Sequence, residues 1–229
     1  MNYSPITDHY DPKFKFKTLD GKRDTSYLDK LLLDGDLVRP VHVSQLADVP
    51  QHDLSLWCLK HGVYAVPTWE LIHWLQRELR GRRAIEICAG RSCLGRHLGI
   101  PMTDSYSHVR PEVMIYMAAF GQHPTIPSDD VLRIDANAAV REFRPEVVIG
   151  AWVSQKRTGN EEQANEYGPD EFEILDSGCT YIHVGHLGPH SKKRILLREH
   201  RCLNFTWLRS RGFDPAGNRI WIWDHSTGI

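Results

Sequence analysis

The chain has 229 residues, 41% of them hydrophobic and 25% charged, enough length for one sizeable core and the composition of an ordinary globular protein. A formal charge of −1 with His neutral excludes a global field that would draw the protein to nucleic acid or membrane. Five cysteines, an odd number without a close CxxC pair, argue against a disulfide scaffold or a Cys-rich zinc site. Met1-Asn2-Tyr3-Ser4-Pro5 lacks a signal pattern, and no window approaches about 18 apolar residues. The expectation is a cytoplasmic protein without a membrane segment.

Residues 1–24 are polar, and the alternation Lys13-Phe14-Lys15-Phe16-Lys17 reads as an edge strand or a loose arm. Ser26 ahead of Tyr27, Leu28, Leu31 and Leu32, with Gly35 beyond, predicts a short capped helix. Asp53 is placed to cap a second helix over Leu54 to Lys60, stopped by His61-Gly62. A third helix begins at Thr68, carries Leu71, Ile72, Leu75 and Leu79 at helical spacing, and is closed by Gly81.

Beyond it, apolar runs at 84–88, 100–103, 131–134, 147–153 and 180–184 alternate with helical segments near 94–98, 112–120, 138–143 and 169–175. The last of these starts with Pro169 at the first helical position and ends before Gly178. Such alternation predicts right-handed crossovers and a mainly parallel sheet with helices on both faces. Residues 219–223 read as an antiparallel closing strand, and 154–169 as a polar, mobile loop. The expected fold is therefore α/β: a Rossmann-like domain over 64–229, preceded by a helical N-terminal extension over 1–63.

The segment from Ala84 to Gly95 carries the clearest chemical signal. Ile85 and Ile87 share one face of a strand and Glu86 lies on the other. Small residues at Cys88, Ala89, Gly90 and Ser92 let the backbone pass close to a ligand. Ser92 can cap the next short helix, whose free N–H groups favour a polar or anionic group. A dinucleotide fingerprint would require GxGxxG, but the aligned positions are Cys88, Gly90 and Cys93. An acidic residue two positions before the turn suits another class.

The arrangement resembles the first motif of the class I S-adenosylmethionine-dependent methyltransferases, an acidic residue followed by a G-x-G-x-G turn. Here Glu86 is followed by Cys88, Gly90 and Ser92, so cysteine and serine stand where the family has its outer glycines. The resemblance implies S-adenosylmethionine as cofactor, with Glu86 and residues 88–92 around its methionine part. Asp104 follows the second run, where the family has an acid that accepts hydrogen bonds from the ribose hydroxyls. Asp135-Ala136 follows the third, where an acid contacts adenine. Ala151-Trp152-Val153-Ser154 begins the family's substrate-facing loop. The resemblance covers roughly residues 64–184 together with 219–223. Without it, Glu86 reads as a buried ion-pair partner and the two aspartates as turn or capping residues.

Methyl transfer from a sulfonium needs alignment, desolvation and sometimes a base, so no universal catalytic residue is expected. Methyltransferases acting on exocyclic base amines carry Asp/Asn-Pro-Pro-Tyr/Phe after the fourth strand; Ala151-Trp152-Val153-Ser154 departs from it, and no Pro-Cys pair stands there. Tyr64, Trp152 and Gln155 are the expected substrate-lining residues, and Ser154 and His183 the candidate catalytic ones. His183 is chosen because histidine titrates near neutrality; a hydrogen-bonded core histidine is the alternative. His183, His186 and His190 lack a carboxylate or cysteine partner, so no metal is expected. The basic stretch 191–211, with Phe205 and Trp207, could contact nucleic acid weakly, or pair with the acidic stretch 161–176. The acceptor stays open among small molecule, protein and nucleic acid. A methyltransferase-like binding module for a nucleoside or a partner protein is the competing function.

Overall fold

The computed structural model describes residues 23–91, 94–119, 123–159 and 164–224. The Lys13–Lys17 alternation, Ser92 and Cys93 lie outside them. The strands that matter for the site are β1 (Ala84–Ile87), β2 (Thr103–Asp104), β3 (Leu132–Arg133), β4 (Val147–Ala151), β5 (Thr180–His186), β6 (Arg201–Leu203) and β7 (Asn218–Trp223). Five of them form a mixed sheet in the order β6-β7-β5-β4-β1. β1, β4 and β5 run parallel, and β7 is antiparallel to both β5 and β6. β2 and β3 make a separate parallel pair. β2 lies alongside β1 through a parallel bridge between Glu86 and Met102, and Ala89 N–H donates to the Thr103 carbonyl (3.0 Å).

Both faces of the sheet are covered, which is why its strands read as continuous apolar runs rather than alternating ones. Val147, Ile149, Ile182, Val184, Ile220 and Ile222 point to one face, where they meet Leu71, Ile72 and Leu75. Ile85, Ile87, Val148, Tyr181, Trp221 and Trp223 point to the other, against Ala136, Ala139, Val140 and Ile174. Each fully buried aliphatic side chain of this kind contributes roughly 1.5–3 kcal/mol.

The helices are α1 (Gln51–His61), α2 (Trp69–Leu79), α3 (Pro111–Ala119), α4 (Ala136–Phe143) and α5 (Glu171–Asp176). Thr68 caps α2, its hydroxyl accepting from the Leu71 N–H at 3.2 Å. α1 departs from expectation. It starts before Asp53, and that carboxylate is buried inside the helix, where it pairs with Arg23 and accepts from the Tyr27 hydroxyl (2.8 Å). Pro169 likewise is not the first helical residue. Asp170 caps α5 instead, accepting from the Phe172 and Glu173 N–H groups, because a side-chain acceptor satisfies free donors that proline merely tolerates. β6 was not legible as a strand, and a short ladder, Gln155–Lys156 with Ala164–Asn165, structures part of the polar loop.

From Leu28 onward the N-terminal extension shares the main core. Leu28, Leu32, Val41, Leu54 and Trp57 join the cluster formed by α2 and the sheet. Val41 and Thr68 form a parallel bridge, and Gln51 Nε2 donates to the Gly212 carbonyl (2.6 Å). Among the described residues no helix is long and apolar enough to cross a membrane.

Candidate functional site

Where β1 ends, the chain turns through left-handed conformations at Cys88 (φ 52°) and Gly90 (φ 54°). Glycine takes such a φ freely, whereas cysteine is strained there. The strain at Cys88 is held by its packing against the second core cluster. Burial, reinforced by the nearby carboxylates Asp104, Glu171 and Asp135, pushes the Cys88 thiol far above its ordinary range. A thiol held protonated is no nucleophile at neutral pH.

Asp104, at the end of β2, organises this turn. Its Oδ2 accepts from the Gly90 N–H (3.0 Å) and its Oδ1 from the Tyr106 N–H (2.7 Å). Behind the turn Glu86 is buried, with Oε2 accepting from the Gly95 N–H at 2.6 Å. Burial raises its carboxyl to about 8, outweighing the Gly95 hydrogen bond and the Arg96 charge, both of which favour the ionised form.

Tyr64, Glu86, Cys88, Ala89, Gly90, Asp104, Trp152 and Ser154 all line one cleft. Ser105, His108, Thr125, Tyr167 and Gly168 complete its walls. Thr125 packs over the turn: a Cβ on Gly90 would come within 2.9 Å of its Cγ2. Its own Oγ1 is buried and has no hydrogen-bond partner among the described residues. Thr125 N–H donates to His108 Nδ1 (3.3 Å), so the other ring nitrogen carries the hydrogen in the neutral imidazole. Burial lowers the His108 pKa, with Arg211 adding to the effect and Asp104 opposing it.

Gly168 closes the opposite wall. A Cβ there would meet the Ser154 carbonyl oxygen at 2.4 Å and the Gln155 carbonyl oxygen at 2.5 Å. Backbone cannot swing aside as a side chain can. Gly168→Ala is therefore expected to cost about 1–3 kcal/mol, read by urea denaturation; unchanged stability would contradict this contact.

Four expected site residues lie elsewhere. His183 is fully buried in the core, with Nδ1 facing Lys193 Nζ (3.3 Å), and burial pushes its pKa well below the ordinary value. It is a core histidine rather than a general base, because the sheet is covered on both faces at its position. Gln155 is buried and its Oε1 accepts from the Arg194 N–H (2.8 Å), away from the cleft. Asp135 caps α4 by accepting from the Asn137 and Ala138 N–H groups, and it lines an adjoining depression that shares Ser105, Tyr167 and Gly168 with the cleft. Ala136 is buried in the core.

Of the H-x-x-H segment, the His186 imidazole binds backbone: its Nδ1 accepts from Gly188 N–H, and its Nε2 lies 2.8 Å from the Asp214 carbonyl. The basic stretch is partly consumed by the acidic one. Lys193 pairs with Glu171 and Arg198 with Asp176, while Phe205 and Trp207 stack on each other and pack near Trp74.

A buried polar cluster backs the cleft; the pairing of the basic and acidic stretches was legible in the sequence, but its burial was not. Lys193 Nζ donates to the Val153 carbonyl (2.8 Å) and to Glu171 Oε1 (2.5 Å), and the Tyr181 hydroxyl donates to the same oxygen (2.9 Å). Val153 lines the cleft, so this cluster fixes the chain that follows β4. Compared with models of known protein families and with characterised proteins, the chain matches none.

Proposed function

We propose that the protein is an S-adenosylmethionine-dependent methyltransferase. The observation that carries this reading is the direct hydrogen bond from the Gly90 turn of β1 to Asp104 of β2, inside a cleft that also contains Glu86 and Trp152. With the Glu86–Met102 bridge counted as a strand contact, the order runs β3-β2-β1-β4-β5. Its direction reverses between β1 and β4, and open α/β sheets bind ligands at such switch points, beyond the carboxyl ends of the strands. That order supports a Rossmann-like reading.

The residues present fit the cofactor. Each carboxylate oxygen of Asp104 accepts one N–H group and keeps capacity for a ribose hydroxyl. The orphaned Thr125 hydroxyl offers a further partner beside the turn. Asp104 would hold the ribose, and Glu86 with the Cys88–Gly90 backbone the methionine part. Asp135, committed to capping α4, is not in this set. When bound, the cofactor supplies an electrophilic methyl group on a sulfonium. Tyr64, Trp152 and Val153 would wall off water on the acceptor side, and Ser154, which also lines the cleft, would orient an acceptor.

Asp104→Ala is expected to weaken S-adenosylhomocysteine binding by on the order of 1–3 kcal/mol, which is about ten- to a hundredfold. Asp104→Asn, which keeps an acceptor oxygen, should fall between. Unchanged affinity in the alanine variant would sink the ribose assignment. One observation favours a second reading, a nucleoside-binding module without turnover: His183, the expected base, is buried away from the cleft. Transfer of a labelled methyl group from the cofactor to any acceptor would exclude that reading.

A further inference from the structure

Arg211 flanks the cleft, packing against two of its lining residues without lining it itself. Its guanidinium carbon lies 4.5 Å from the Tyr64 ring centroid and 5.7 Å from that of Trp152, two residues that line the cleft. The two rings are themselves 6.0 Å apart. The backbone holds this arrangement in place: Arg211 N–H donates to the Tyr64 carbonyl (3.0 Å), and Trp152 N–H to the Val184 carbonyl (2.8 Å). Among the described residues the Arg211 guanidinium forms no ion pair and donates no hydrogen bond. Arg91, on the turn side, differs, since its guanidinium is committed to the Asp36 and His61 carbonyls. Arg110 repeats the Arg211 pattern over the Tyr167 ring, 5.1 Å away.

Stacking on an aromatic ring occupies the face of a guanidinium and leaves its N–H edge free, and that edge matches a carboxylate or phosphate. His108, whose pKa burial lowers with Asp104 opposing and Arg211 adding to the shift, keeps a ring N–H as a further donor when neutral. One donor that lines the cleft and one that flanks it therefore stand near each other without a matching acceptor. The carboxyl groups Glu86 and Asp104 line the same cleft, Asp104 holding the Gly90 turn.

We infer that the cleft takes an acceptor carrying a carboxylate or phosphate, and that Arg211, stacked on Tyr64 and Trp152, is the residue that recognises it. This rests on the reading of the cleft as a substrate site. The cofactor would be held by Asp104 and the Gly90 turn, and the anionic group of the acceptor by Arg211.

Calorimetric titration with benzoate, phenyl phosphate and neutral benzamide tests the inference, using the full chain and its Arg211→Gln and Arg211→Lys variants. Both anions, or one of them, should bind and benzamide should not; the tighter of the two anions identifies carboxylate or phosphate. Arg211→Gln should lose at least about tenfold in anion affinity. Arg211→Lys, which keeps a charge but not the planar fork, should lose less. Benzamide binding as well as the anions, absence of anion binding to folded protein, or equal anion affinity in Arg211→Gln would each overturn the proposal. Titration of the same proteins with S-adenosylhomocysteine reports the cofactor half separately. Arg211-dependent anion binding without nucleoside binding would sink the methyltransferase reading and leave the anion site standing.

Discussion

Lys193→Ala should destabilise the protein by about 3–5 kcal/mol, the cost of leaving one member of a buried ion pair without its partner. Lys193 and Glu171 side chains are 1% and 2% exposed, so neither can turn to water when the other is removed. The substitution also strips the Val153 carbonyl of its donor and leaves Glu171 with the Tyr181 hydroxyl. Burial lowers the Lys193 pKa and the Glu171 carboxylate opposes that shift, so the pair depends on its own geometry. In a chain of this size about 1 kcal/mol corresponds to roughly 2–4 °C in Tm, and calorimetry should show a fall of about 10 °C. The double variant Lys193→Met with Glu171→Gln removes both charges, keeps an acceptor for Tyr181, and should recover most of the loss. A single variant costing under about 1 kcal/mol, as exposed ion pairs do, would contradict the burial of this pair.

Glu86 makes stability depend on pH in a defined direction. Its carboxyl sits at about 8 in the folded protein against an ordinary 4.5. Between those values the folded state holds a proton that the unfolded state has released. The contribution of this group is therefore complete below pH 4.5, falls as pH rises, and is lost by about pH 8. The total is on the order of a few kcal/mol. Glu86→Gln keeps an oxygen for the Gly95 N–H and cannot titrate. Urea denaturation across that window should show a slope in the parent protein that is reduced in the variant; identical slopes would contradict a protonated Glu86.

The turn after β1 was legible because its demands are local. An apolar strand, a carboxylate facing away from Ile85 and Ile87, and small residues after it are all sequence neighbours. Thr68 ahead of α2 was legible for the same reason. Tertiary burial was not. Lys192 and Lys193 are adjacent and chemically identical, and only packing against Glu171 and His183 makes the second a core residue. His183 looked poised to titrate, but all seven residues of β5 are buried, so alternation no longer separates a cleft face from a core face. β6 was hidden because its three residues are mostly exposed and held by pairing with β7 and by the Arg201–Asp224 bridge, not by an apolar run. No change in composition marked how residues 28–63 enter the main core, since that depends on partners such as Val41 and Thr68 in different segments.

Calorimetric titration of the full chain with S-adenosylmethionine and S-adenosylhomocysteine, with NAD as control, tests the central claim most directly. Micromolar binding of both sulfur nucleosides, and none of NAD, is the expected result. Folded protein that binds neither nucleoside would contradict the assignment of the Gly90–Asp104 cleft as a cofactor site.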